Sequence, residues 1–224
     1  MPASKMTIDG SNYIGAFAVS TDKFTFLANG VTKNKEDIIR KMLGTEIIKT
    51  TINSSLLVGL FVAANSNGVL LPSIMDRDEI SAIKHASHGL RVEILDTDLN
   101  ALRNNILSND KIAIVNPGFS GRDVSIIKDT LGVEVVKMHI GEFNTVGANN
   151  ILTNKGMVIN NRVSEMEIEK VESMTGMKCE QSTANMGELT VGLATIANSH
   201  GLIVGDATSG FEYSRIAGAL DIES

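Results

Sequence analysis

One stretch of this chain occurs in five copies, and that repetition limits what the chain can fold into. Thr145–Gly156 reads TVGANNILTNKG. Its opening Thr-Val-Gly recurs at Thr190–Gly192, and its closing turn Thr153-Asn154-Lys155-Gly156 recurs as Asn198-Ser199-His200-Gly201. Further copies are Val58-Gly59 with Asn65-Ser66-Asn67-Gly68, Asn104 with Ser108-Asn109-Asp110-Lys111, and Ile14-Gly15 with Ser20-Thr21-Asp22-Lys23. The fourth turn positions, Lys23, Gly68, Lys111, Gly156 and Gly201, set a period of roughly 43–45 residues, within the range of stacked or ring-closed units.

Each copy predicts the same order of elements. Apolar residues on both sides of the polar turn predict a hairpin: Tyr13–Ser20 with Phe24–Leu27, Leu56–Ala64 with Val69–Leu71, Asn105–Leu107 with Ile112–Val115, Ala148–Leu152 with Met157–Ile159, and Leu193–Ala197 with Leu202–Val204. Asn67-Gly68 strengthens the second, because both residues tolerate positive φ. A short polar residue then stands three positions before an acid, at Asn34, Asp76, Ser120, Ser164 and Ser209. That spacing predicts a helix N-cap, with the acid suited to the positive end of the helix dipole. Gly44, Gly89, Gly132 and Gly176 supply left-handed stops. Strands are expected next at Glu46–Ile52, Leu90–Leu95, Val133–Met138 and Met177–Glu180.

The fifth copy lacks this last strand, and a spare candidate, Lys5–Ile8, precedes the first copy. Joining the two removes the bare strand edges of an open ring. The expected fold is therefore α/β: one domain over 1–224, a closed ring with repeats at about 13–54, 55–100, 101–144, 145–189 and 190–224, and residues 5–8 closing it. The other arrangement open from sequence is a two-layer sandwich of duplicated halves.

Aromatic residues make up 4% of the chain and Trp is absent, so Ile, Val, Leu, Ala and Met must fill the core. The formal charge of −6 lacks the strongly basic footprint of a nucleic-acid binder. A single cysteine, Cys179, permits no internal disulfide and fits a reducing compartment. No apolar run approaches the roughly 18 residues of a membrane span, and the first residues lack a signal-peptide layout. A soluble cytoplasmic protein is expected.

The motifs Ser55-Leu56-Leu57-Val58-Gly59, Ala63-Ala64-Asn65, Gly68-Val69-Leu70-Leu71-Pro72, Ala101-Leu102 with Asn104, Thr145-Val146-Gly147 and Asp206-Ala207-Thr208-Ser209 follow one another in a distinctive order. Over Tyr13–Leu220 the chain resembles the translation initiation factor 6 family, in length closest to its archaeal members. It departs from the family pattern at Arg103, where the family has Gly, and at Ala207, where it has Thr. The resemblance implies a pentein, or αβ-propeller, with five quasi-equivalent repeats around a pseudo-five-fold axis. It also implies a monomeric factor of protein biosynthesis and ribosome biogenesis. Such a factor binds the large ribosomal subunit, chiefly ribosomal protein L14 near the sarcin–ricin loop of rRNA, and sterically prevents association with the small subunit. No cofactor, metal, membrane or DNA partner is implied. Release in the family is linked to the Shwachman–Bodian–Diamond protein and an elongation-factor-like GTPase.

Penteins also include deiminases and amidinotransferases, which resemble one another in a Cys nucleophile, a His and acidic guanidinium ligands, so a guanidine-modifying enzyme is the alternative. Cys179 is the only thiol, and it reads as a small packing residue of a strand. A reactive thiol needs a neighbouring His or another group that lowers its pKa. None of His85, His88, His139 and His200 has a sequence setting that pairs it with Cys179. His85 and His88 share a helical face without a second ligand cluster. Glu165, Glu167, Glu169 and Glu172, with Lys170, read as an exposed helix face. Gly201–Gly205 lacks phosphate-loop spacing, and Asp76-Arg77-Asp78-Glu79 lacks the glycine and terminal Glu of a calcium loop. No catalytic or metal residues are expected.

In a ring, equivalent positions gather about the axis. The starts of the first strands are Gly15-Ala16, Gly59-Leu60, Asn104-Asn105, Ala148-Asn149 and Gly192-Leu193. Small residues and amides there allow close approach and hydrogen bonding, and the resemblance implies that ribosome binding maps to such axial positions, so these ten are the expected ribosome-binding positions. The same residues can equally serve inner packing where five units crowd together. By resemblance, Asn104 leads the set. The acidic balance favours a basic ribosomal protein over bare RNA as the main contact.

Overall fold

A computed structural model describes residues 4–222. Strand β1 (Ser4–Met6) opens the chain. The first unit follows as a 3-10 turn at Ile14–Ala16, β2 (Ala18–Ser20), β3 (Phe24–Ala28), α1 (Lys33–Leu43) and β4 (Glu46–Thr50). The second comprises α2 (Val58–Phe61), β5 (Ala63–Ala64), β6 (Gly68–Pro72), α3 (Arg77–Ala86) and β7 (Arg91–Leu95). The third has α4 (Leu102–Asn105), β8 (Ile106–Ser108), β9 (Ile112–Val115), α5 (Gly121–Leu131) and β10 (Glu134–Lys137). The fourth has α6 (Val146–Asn149), β11 (Ile151–Leu152), β12 (Met157–Ile159), α7 (Glu165–Thr175) and β13 (Cys179–Gln181). The fifth has α8 (Val191–Ala194), β14 (Thr195–Ala197), β15 (Leu202–Gly205) and α9 (Gly210–Ala219).

These strands form five three-stranded sheets in a mixed α/β arrangement repeated five times. In each, the middle strand pairs antiparallel with the hairpin strand before it and parallel with a strand across the helix. The fifth sheet takes its parallel strand from the other end of the chain: Ser4, Lys5 and Met6 pair with Ile203, Val204 and Gly205. Ile8, expected in that strand, instead forms an isolated bridge with Ser11.

Middle strands such as Val69–Leu71 and Ile112–Val115 are apolar at every position and buried on both faces, as central strands covered on both sides are. The seventh residue of each long helix points into this core. Ile39, Ile83, Ile127, Val171 and Ile216 are at most 1% exposed, each contributing roughly 1.5–3 kcal/mol of apolar burial.

Ser120, Ser164 and Ser209 accept hydrogen bonds from the N3 backbone N–H, and Asp76 occupies the same N-cap position. The first helix departs from the expectation. It begins at Lys33 with Thr32 as N-cap, so Asn34 lies inside the first turn. There Glu36 gathers Lys33, Arg40 and Lys49 in place of a capping box. Gly44, Gly132 and Gly176 are left-handed C-caps, while α3 ends at Ser87, two residues before Gly89.

The turn at Asn65–Gly68 also differs in mechanism. Neither Asn67 nor Gly68 adopts positive φ. Asn65 Oδ1 instead accepts the N–H groups of Asn67 and Gly68. Its Nδ2 donates to Asn109 O and Leu131 O of the next unit, at 3.0 and 2.8 Å. Asn109 and Asn198 repeat this link, Asn198 reaching Thr21 O and Leu43 O of the first unit. One side chain thus shapes its own turn and fastens it to a neighbour. Gly68 is required because a Cβ there would lie 2.2 Å from Thr130 O.

Candidate interaction site at the axial turns

The segments before each inner strand do not extend as β structure. They coil for one turn, at Ile14–Ala16, α2, α4, α6 and α8, before the strand begins. These turns touch in a cycle: first with second, second with third, third with fourth, fourth with fifth, and fifth with first.

Their second residues make the contact. A Cβ at Gly59 would sit 1.9 Å from Gly15 O, at Gly147 1.9 Å from Arg103 O, at Gly192 2.2 Å from Gly147 O, and at Gly15 2.5 Å from Gly192 O. Backbone therefore packs directly on backbone around the ring. The equivalent third-unit residue is Arg103. The equivalent positions are thus Gly15, Gly59, Arg103, Gly147 and Gly192. The pairs Asn104-Asn105 and Ala148-Asn149 stand one residue later than Gly15-Ala16, and none of the ten residues starts a strand.

Burial separates these ten residues. Gly15, Ala16, Gly59, Asn105, Ala148, Asn149 and Gly192 are buried, whereas Leu60, Asn104 and Leu193 remain partly exposed. Asn105 Nδ2 donates to Ala101 O while its Oδ1 accepts from Asn116 Nδ2. Asn149 Oδ1 accepts from the Thr145 hydroxyl. Both amides are occupied within their own units. Asn104 Oδ1 is itself buried and has no hydrogen-bond partner among the described residues.

Sequence periodicity missed two neighbours. Tyr13 and Leu57 immediately precede the first two turns and are 37% and 36% exposed. The signal lay in residue size, since the other units place Ala101, Thr145 and Thr190 there. Burial, with Glu188 adding to it, raises the Tyr13 hydroxyl pKa, so Tyr13 stays neutral across physiological pH.

Two cavities on the axis measure about 30 and 20 Å³, far below the roughly 300 Å³ of a small-molecule site. The first is lined from all five units and by Arg103. Arg103 Nη1 donates to Gly147 O at 2.6 Å and makes no ion pair among the described residues. Desolvation pushes its guanidinium down to about 10, still protonated at neutral pH. At the hairpin-turn end, Asn154 Nδ2 donates to Asp22 Oδ2 and Asp110 Oδ2, at 2.8 and 2.7 Å.

Burial, reinforced by Glu172, pushes the Cys179 thiol up to about 12. A nucleophilic cysteine needs the opposite shift. No group of three or more His, Cys, Asp or Glu side chains is arranged to hold a metal ion among the described residues. No helix among them is long and apolar enough to cross a membrane.

Five αβ units joined in a contact cycle, with backbone and amides filling the axis, define a repeat-built α/β protein. The eIF-6 family model matches residues 3–219. Translation initiation factor 6 of Saccharolobus islandicus strain L.S.2.15 is 35% identical over 221 residues, covering 98% of this chain and 99% of that protein. Translation initiation factor 6 of Pyrococcus abyssi is 35% identical over 226 residues, covering 99% and 100%. That of Thermococcus onnurineus is 33% identical, covering 98% of each. The chain belongs to the eIF-6 family of translation initiation factors.

Proposed function

We propose that this protein is a pentein that binds the large ribosomal subunit and blocks its joining with the small subunit, acting by shape and without chemistry. Family membership over nearly the whole chain carries this reading. The geometry supports it: the axial turns are fixed backbone against backbone, and the lone thiol is held protonated. The partner is ribosomal protein L14 beside the sarcin–ricin loop, met in the cytoplasm by a monomer. The contact is built on the axial turns. Leu60, Asn104 and Leu193 supply side chains, Tyr13 and Leu57 extend the patch, and the buried members of the ring hold it rigid.

Leu60→Arg or Asn104→Lys places a charge and extra bulk at this patch, at residues that are partly exposed. Each is expected to reduce co-sedimentation with purified large subunits by about tenfold or more, as loss of an interface anchor does, with little change in melting temperature. Wild type is expected to reduce the joined-subunit peak in a sucrose gradient, and added salt to weaken its binding by screening exposed charges. If both variants co-sediment like wild type, the contact face is elsewhere; if wild type leaves subunit joining undiminished, blockade is wrong.

A further inference from the structure

Arg103 breaks the pattern of the ring. Four turns place glycine at this position, and the third places a cation. Its side chain reaches across to the fourth unit, spends one donor on Gly147 O, and lines the axial cavity of about 30 Å³. A guanidinium has five N–H donors. No carboxylate lines this cavity, whose other walls come from inner strands of every unit.

The nearest acids on the axis line the neighbouring cavity, at the hairpin-turn end of those strands. They are also engaged. Asp22 accepts from Ser199 N and Asn154 Nδ2, and Asp110 accepts from Ser66 N and the same amide. The remaining polar lining consists of hydroxyls. Thr195 and Ser20 are committed to Val191 O and Thr25 Oγ1, at 2.9 and 2.8 Å. Ser108 Oγ lies 3.4 Å from Ala64 O, the longest of these bonds and the easiest to redirect.

We propose that this cavity is a halide site, in which one chloride is held on the axis by the Arg103 guanidinium and the Ser108 hydroxyl. Arg103 is partly exposed, but toward this cavity its remaining donors meet no carboxylate, and a resident anion would take them up. The cavity has room for an ion of about the size of a water molecule, and excludes nucleotides and phosphate esters. The chloride adds a tie between the third and fourth units, whose backbones already meet where Gly147 packs on Arg103 O. The inference concerns stability of the isolated protein and does not depend on subunit binding.

The test is thermal unfolding at constant ionic strength, exchanging gluconate, which is too large to enter, for chloride. An ion that binds only the folded state stabilises it as the logarithm of its concentration. The melting temperature of wild type should rise by about 3–6 °C for each tenfold increase in chloride above the dissociation constant. Arg103→Gly, which restores the residue that fits the other four turns, should show no chloride-specific rise. A bromide-soaked wild-type crystal should give an anomalous peak beside the guanidinium. Equal chloride responses in wild type and Arg103→Gly, or water alone at the guanidinium in bromide, overturn the proposal; the crystal decides even if the variant does not fold.

Discussion

At Gly59 the space for a side chain is already taken by Gly15 O, 1.9 Å from where a Cβ would sit. Gly59→Ala must displace backbone in two units, and overpacking of this kind costs about 1–3 kcal/mol or more. Denaturant unfolding should show that loss. Gly218→Ala provides the contrast. Gly218 lies in α9 with open space around it, so alanine should stabilise by roughly 0.5–1 kcal/mol. The repeat exposed Gly59 and Gly68 in the sequence without deciding their use. Gly68 was legible as a turn residue, but what demands it is Thr130 O, more than sixty positions away and visible only after folding.

Glu212 makes a second residue-scale case. Its carboxylate accepts from Ser209 N, closing the capping box, and also from Thr183 Oγ1, Met186 N and Gly187 N in the preceding linker. Burial opposes ionisation there, yet the hydrogen bonds, led by that from Ser209, win and hold its pKa down to about 2. Because the folded value is depressed, its stabilisation is full above the ordinary carboxylate pKa near 4.5 and is lost as pH falls toward 2. Glu212→Gln should therefore unfold more easily at neutral pH, by about 1–2 kcal/mol. The difference from wild type should close in acid. A constant gap down to pH 2 would show that packing, not charge, is at work.

Elements were legible where their signals are local. The N-caps Ser120, Ser164 and Ser209 stand where the short polar residue and its acid predicted them. The inner strands were read too long. A short apolar run such as Leu56–Ala64 suits a helical turn or a buried strand equally well, and periodicity alone does not divide it at Val62. Strand β1 gives the prediction at this scale. It pairs with β15 and brings Met6 into the core, with Ile8 buried just beyond it. Removing residues 1–10 bares the edge of β15 and empties both positions. A single transition at a lower melting temperature is expected; an unchanged one would mean that β1 adds no stability.

For the whole molecule, the five-fold order could be read from one dimension because each unit carries its own turn and helix signals. The composition of the axial patch could not. Periodicity finds equivalent positions but says nothing of which reach solvent, and seven of the ten expected contact residues are buried. The register slipped in the third and fourth units, where the expected pairs Asn104-Asn105 and Ala148-Asn149 stand one residue past Arg103 and Gly147.

The parallel pairing of Ser4–Met6 with Ile203–Gly205 joins positions about 200 residues apart. During synthesis the leading strand must remain without its partner until Ile203–Gly205 has been made, and contacts that distant are slow to form. A product cut short before Leu202 has nothing for that strand to join. Sealing the fifth sheet therefore reports that translation has passed Gly205.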